Sequence, residues 1–114
     1  MKKKRIGKYN NKIVKTKDGK FDSKKEYSIW LKLKRQQERG LICNLQRQVP
    51  FVLMEESKWG QARKYIADFV YTDCKTGELV VADAKSNATE VDPVFSLKAR
   101  LFAEIYNKEI KILK

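Results

Sequence analysis

Residues 63–85 read RKYIADFVYTDCKTGELVVADAK, two apolar segments joined by a polar stretch that closes on glycine. The first segment, Arg63–Thr72, carries Tyr65, Ile66, Phe69, Val70 and Tyr71; the second, Glu78–Lys85, carries Leu79, Val80 and Val81. β-Branched and aromatic residues in runs of this length predict strands, and Asp73-Cys74-Lys75-Thr76-Gly77 predicts the turn of a hairpin. If Asp73 pairs with Glu78, Asp68 lies directly opposite Asp83. Facing residues of an antiparallel pair are roughly 4.5–5.5 Å apart, so two like charges there destabilise the sheet unless a positive group intervenes. Lys85 shares a face with Asp83, two residues on, and neutralises part of that repulsion; a divalent cation would do so more fully. The register decides the matter, because a slip of one residue sends the two acids to opposite faces. A lone Asp-x-Lys is otherwise an ordinary solvated strand face.

Upstream, the spacing predicts a helix from Asp22 or Ser23 to about Arg39, closed by Gly40, with Tyr27, Trp30, Leu31 and Leu33 on its apolar stripe. Ser23-x-x-Glu26 fits a capping box. The alternative is that this helix packs on the sheet and aims Glu26 at the two aspartates. Leu45–Leu53 reads as a strand in which Pro50 marks an edge or bulge, and Glu55–Gly60 as a loop. Lys12–Lys17 reads as a short strand turned by Asp18-Gly19. Downstream, Ser86–Val91 reads as a loop, followed by Asp92-Pro93 as N-cap and first residue of a second helix. That helix should bury Phe95 or Val94, with Leu97, Leu101, Phe102 and Ile105, and end near Asn107. Ile110–Leu113 closes the chain as a short strand. Helix, three strands, helix, strand is the order of an α/β (α+β) domain, a mixed sheet flanked by helices. One domain over residues 12–114, preceded by a basic arm over 1–11, accommodates the length.

The chain carries 26 Lys and Arg against 14 Asp and Glu, a formal net charge of +12. Most of that excess lies in the first 25 residues, where Lys2, Lys3, Lys4, Arg5 and Lys8 open a cationic segment. Such an arm suits a polyanion, since each neutralised phosphate releases counterions; a solubilising tail is the plainer reading. Histidine is absent, which excludes Ser-His-Asp and Cys-His nucleophiles, HExxH zinc hydrolases and nucleases with a histidine base. Cys43 and Cys74 lack CxxC spacing, and no apolar h-region follows the basic N-terminus. A cytoplasmic protein with reduced thiols is expected, without a membrane span.

Four blocks resemble the PD-(D/E)XK nuclease superfamily, and within it a family of small phage-encoded endonucleases akin to Holliday junction resolvases. They are Phe21-Asp22-Ser23-Lys24-Lys25-Glu26, Tyr65-Ile66-Ala67-Asp68-Phe69-Val70-Tyr71, Val80-Val81-Ala82-Asp83-Ala84-Lys85 and Leu97-Lys98-Ala99-Arg100-Leu101-Phe102. The resemblance implies a restriction-endonuclease-like αβββαβ core. It also implies Glu26, Asp68, Asp83 and Lys85 as the catalytic set, with Asp68, Asp83 and Glu26 holding Mg²⁺, for which Mn²⁺ would substitute. Many relatives carry Glu where this chain has Asp83, one methylene shorter in reach. The implied activity is metal-dependent DNA endonuclease, acting on structured or branched DNA. Lys98, Arg100 and the arm (Lys2, Lys3, Lys4, Arg5 and Lys8) would contact phosphates. A two-fold symmetric junction would require a homodimer. Gln46 or Gln48 is a candidate polar residue beside the site, and Trp30, Trp59 and Tyr106 are candidate stacking platforms, Trp30 doubling as core. The rival readings are a non-catalytic nucleic-acid-binding protein and a phage regulatory protein working through protein contacts.

Overall fold

The computed structural model describes residues 13–85 and 92–114. In chain order the elements are β1 (Val14–Thr16), β2 (Gly19–Phe21), α1 (Lys24–Glu38), β3 (Ile42–Met54), β4 (Arg63–Asp73), β5 (Leu79–Ala84), α2 (Pro93–Tyr106) and β6 (Lys111–Leu113). From α1 onward this is the expected αβββαβ order, in an α+β architecture.

The hairpin β4–β5 forms through local turn chemistry. The Asp73 carboxylate accepts from the backbone N–H groups of Lys75 (2.8 Å) and Thr76 (3.3 Å), and Gly77 takes the left-handed conformation at φ 80°. The Asp73 N–H then donates to the Glu78 carbonyl at 2.9 Å, which sets Thr72 opposite Leu79 and Phe69 opposite Ala82. Phe69–Ala82 is the last pair of this ladder, and Asp68 beyond it accepts from the Ala84 N–H through its carboxylate.

The main sheet has the order β3-β4-β5-β6, antiparallel except for the β5–β6 pair, whose strands are parallel and joined through α2. Pro50 lies on β3, an edge strand that tolerates a residue without an N–H. Strand β3 is longer at its start than the sequence pattern indicates, because a register shift between Cys43 and Gln46, with Asn44 at φ 57°, absorbs the irregular stretch. Thr16 and Gly19 close a separate β1–β2 hairpin whose second strand the sequence reading does not contain. Asp18, in its turn, ties that hairpin to α1 by accepting from Trp30 Nε1 at 3.2 Å and pairing with Lys34.

Two apolar clusters divide the core. Phe69, Tyr71 and Ala82 pack with Ile29 and Leu33 of α1; Val70 and Val81 pack with Phe102 of α2. Neighbours along a strand point to opposite faces, so α1 and α2 cover opposite faces of the sheet. Helix α1 starts on Ser23, whose hydroxyl accepts from the Glu26 N–H at 3.1 Å, and gives way to Gly40 at φ 79°. Its buried positions are Glu26, Ile29 and Leu33; Tyr27, Trp30 and Leu31 are half-buried, so the stripe is centred on a line that includes Ile29.

Helix α2 begins and ends where its punctuation indicates, at Asp92 and at Asn107 in the left-handed conformation. Its packing differs from expectation. Phe102 is buried and Phe95 and Leu101 are half-buried, whereas Val94, Leu97 and Ile105 are 62%, 57% and 49% exposed. The reason is the aromatic wedge that Phe102 forms with Phe51 (5.1 Å between centroids), Tyr65 (5.7 Å) and Tyr106 (4.9 Å). The helix meets the sheet along that line, and Leu97 lies about 140° around the axis from Phe102. No helix among the described residues is long and apolar enough to cross a membrane.

Candidate active site

Two charged side chains are buried among the described residues, Glu26 at 4% exposure and Asp83 at 3%. Both belong to the set singled out from the sequence. An unpaired carboxylate away from water is costly, so their partners define what the site is.

Asp83, on β5, has both oxygens engaged. Tyr65 of β4 donates its hydroxyl to Oδ1 at 2.7 Å, and Lys85 Nζ lies 2.6 Å from Oδ2. The Lys85 ammonium also sits 4.1 Å above the Phe95 ring of α2. Burial and the neighbouring Asp83 charge push the Tyr65 hydroxyl far above its usual range, so it stays a donor. Asp68 accepts from the Ala84 N–H at 2.9 Å through Oδ2 and from Gln48 Nε2 at 3.3 Å through Oδ1. Its carboxyl is pushed up to about 7, first by burial, then by the charges of Asp83 and Glu26. Glu26 is raised as well, by burial and by Asp22, with Asp83 adding to the effect and Arg47 opposing it.

Glu26 combines the two roles left open by its sequence context. Its N–H completes the Ser23 cap, but its Oε1 accepts from the Asp22 N–H at 3.3 Å, one residue before the box would place it. Its Oε2 accepts from Gln48 Nε2 at 3.0 Å and lies 3.8 Å from Arg47 Nη2. One amide group of β3 therefore touches both Glu26 and Asp68. Gln48 reaches them from a backbone at φ 52°, in the left-handed region that costs a non-glycine residue energy and is found at functional sites. Arg47 beside it is held by stacking 3.6 Å over Phe21 and donating to the Lys20 carbonyl at 2.6 Å.

The structure thus brings Glu26, Asp68, Asp83 and Lys85 together from one helix and two strands. A cleft of about 250 Å³ opens on Asp68, Asp83 and Lys85 and is lined also by Tyr65, Phe95 and Lys98; Glu26 is not in its lining. Arg100 is not there; it lines a separate hollow with Ala99, Ala103 and Glu104. Lys2, Lys3, Lys4, Arg5 and Lys8 lie outside the described residues. Of the candidate stacking residues, Trp30 packs parallel to Phe69 at 6.3 Å and Tyr106 donates to the Val52 carbonyl, while Trp59 is 86% exposed. Sequence reasoning missed the roles of Tyr65 and Arg47 altogether. For Tyr65 a signal exists, three residues before Asp68 in an otherwise apolar strand.

Among the described residues no group of three acids, cysteines or histidines is placed so that it could hold a metal ion. The arrangement is a carboxylate pair bridged by an amide, beside a third carboxylate paired with a lysine. Hard oxygen donors that repel one another suit a divalent cation, and Mg²⁺ keeps several waters rather than requiring an all-protein cage. Asp68 and Asp83, which both line the cleft, are oxygen donors of that chemical kind.

The chain belongs to the family described as protein of unknown function (DUF1064), which matches residues 6–114. No curated protein and no solved structure matches the chain.

Proposed function

We propose that the protein is a metal-dependent DNA endonuclease of the PD-(D/E)XK type, hydrolysing phosphodiester bonds in structured or branched DNA. The observation that carries this reading is that Asp68, Asp83 and Lys85 line one cleft while Gln48 joins Asp68 to Glu26. Asp68 and Asp83 would hold Mg²⁺ or Mn²⁺, with Glu26 as a direct or water-mediated ligand. When bound, such an ion lowers the pKa of a coordinated water and polarises the phosphoryl oxygen.

The chain's own residues do the rest. Tyr65 fixes the Asp83 carboxylate, and Lys85 sets a compact cation at the mouth of the cleft to orient the attacking water or stabilise charge on phosphorus. Lys98, on the same cleft, positions a phosphate, and the basic N-terminal arm adds further contacts. Arg100 would meet only a substrate that extends past the helix. A cytoplasmic phage or prophage enzyme fits this chemistry, and cleaving a two-fold symmetric junction would require a homodimer.

The test is a cleavage screen over linear, flap and four-way DNA with Mg²⁺ and Mn²⁺, run alongside Asp83→Asn. Wild-type protein should cut at least one of these substrates, and Asp83→Asn should cut none while still binding DNA. Wild-type protein that binds every shape and cuts none would transfer the site to a non-catalytic binding role.

A further inference from the structure

Helix α1 and its C-cap carry Lys24, Lys25, Lys32, Arg35 and Arg39. At 100° per residue these five positions fall within an arc of about 100°, on the side away from the sheet-facing Glu26 and Leu33. All five are exposed, and among the described residues none is in an ion pair; Lys34, outside the arc, pairs with Asp18 instead. Glu38 is the acid that borders them, in a shallow hollow of about 370 Å³ lined by Lys32, Arg35, Gln36 and Arg39. From Lys24 to Arg39 the row extends about 22 Å, at a rise of roughly 1.5 Å per residue.

Five unneutralised cations in a line repel one another and are relieved by a partner whose negative charge is also linear. A DNA strand presents a phosphate about every 3.4 Å of axis, so roughly six lie along the row. The row begins at Lys24 and Lys25, immediately before Glu26 of the carboxylate site, and runs away from it along the helix.

We propose that this face of α1 is a docking surface for the phosphate backbone of duplex DNA, distinct from the carboxylate cleft. The choice of DNA rests on the nuclease reading of the site. The row on α1 and the cleft at Lys98 belong to helices that cover opposite faces of the sheet, which suits the two duplex segments that a branched substrate offers.

The experiment measures binding rather than cleavage, so hydrolysis need not occur. Full-length protein is titrated with a short DNA duplex in EDTA over a range of salt concentrations. The test variant combines Lys32→Gln, Arg35→Gln and Arg39→Gln; the control removes the same charge through Lys58→Gln, Lys108→Gln and Lys111→Gln. A second variant pairs Lys24→Gln with Lys25→Gln, and unchanged thermal melting verifies folding throughout.

The slope of log affinity against log salt should shrink by about 2.7 in the triple variant and about 1.8 in the double, at roughly 0.9 for each phosphate that is no longer neutralised. Low-salt affinity should fall at least tenfold in the triple variant and little in the control. Equal reductions in variant and control would reduce the effect to net charge and overturn the proposal. Unchanged binding in both stripe variants would also overturn it, leaving the face to an acidic protein. A failed cleavage screen with a stripe-dependent salt slope would discard the nuclease reading alone.

Discussion

Helix α1 buries a glutamate and turns a row of cations to solvent, whereas helix α2 buries one phenylalanine and leaves Val94, Leu97 and Ile105 exposed. Both are capped by a side-chain oxygen at the N-terminus, and both show an apolar stripe. The periodicity of that stripe establishes that a helix has an inner side; it does not establish how much of the stripe another element covers. In α1 a charge occupies the middle of the inner side, where isoleucine or leucine would be more stable. Its partners outside the helix, Gln48 and Arg47, both lie on β3.

Four perturbations would break or sharpen that contrast. The largest effect on stability belongs to Phe102→Ala, which should cost about 3–5 kcal/mol in urea unfolding because one ring fills most of the α2–sheet contact. A decrease below about 1 kcal/mol would mean that α2 is held by its other residues.

Glu26→Gln comes next. It should slow Mg²⁺-dependent cleavage by about 10²–10³-fold, typical of removing one electrostatic stabiliser, while leaving the melting temperature equal or higher. A variant that melts early and cuts normally would make Glu26 a capping residue only.

Asp68→Asn tests the raised carboxyl, which burial and then the charges of Asp83 and Glu26 push up. With its folded pKa raised from 3.8 to about 7, Asp68 holds a proton in the folded state that the unfolded chain has already released between about pH 4 and 7. The folded state then binds more protons, so this group's contribution to stability falls as pH rises through that window. The melting temperature of Asp68→Asn relative to wild type should therefore climb between about pH 4 and pH 7. A constant difference would mean that Asp68 is neither desolvated nor close to the other acids. Smallest of all is Leu97→Lys, expected within about 0.5 kcal/mol of wild type for an exposed position; a decrease as large as that of Phe102→Ala would show the α2 stripe to be covered in solution.

Much of this was legible because it is local. The Asp73–Gly77 turn, the Ser23 and Asp92 caps, Gly40 and Asn107 each act over a few residues, and the hairpin register follows from the turn alone. That register brings the ladder to Phe69 opposite Ala82, the residues next to Asp68 and Asp83. Tyr65 was hidden because an aromatic residue in a strand reads as core, and Tyr65 is indeed core; its hydroxyl alone reaches Asp83. Gln48 is not distinguished from Gln46 in the sequence, because strand alternation does not register a residue turned into the left-handed region.

By itself, then, the sequence determined most of the elements, their approximate boundaries and the pairing of β4 with β5, since turns, caps and side-chain periods are short-range physics. It also determined the charge excess and the lack of histidine, which restrict any catalysis to carboxylates, lysine, tyrosine or an oxygen-bound metal. Tertiary structure decided which acids are buried, which amide touches two of them, and which helix face is left to solvent. Those depend on contacts between residues 20 or more apart, such as Gln48 with Glu26 and with Asp68, and no local pattern encodes such a distance.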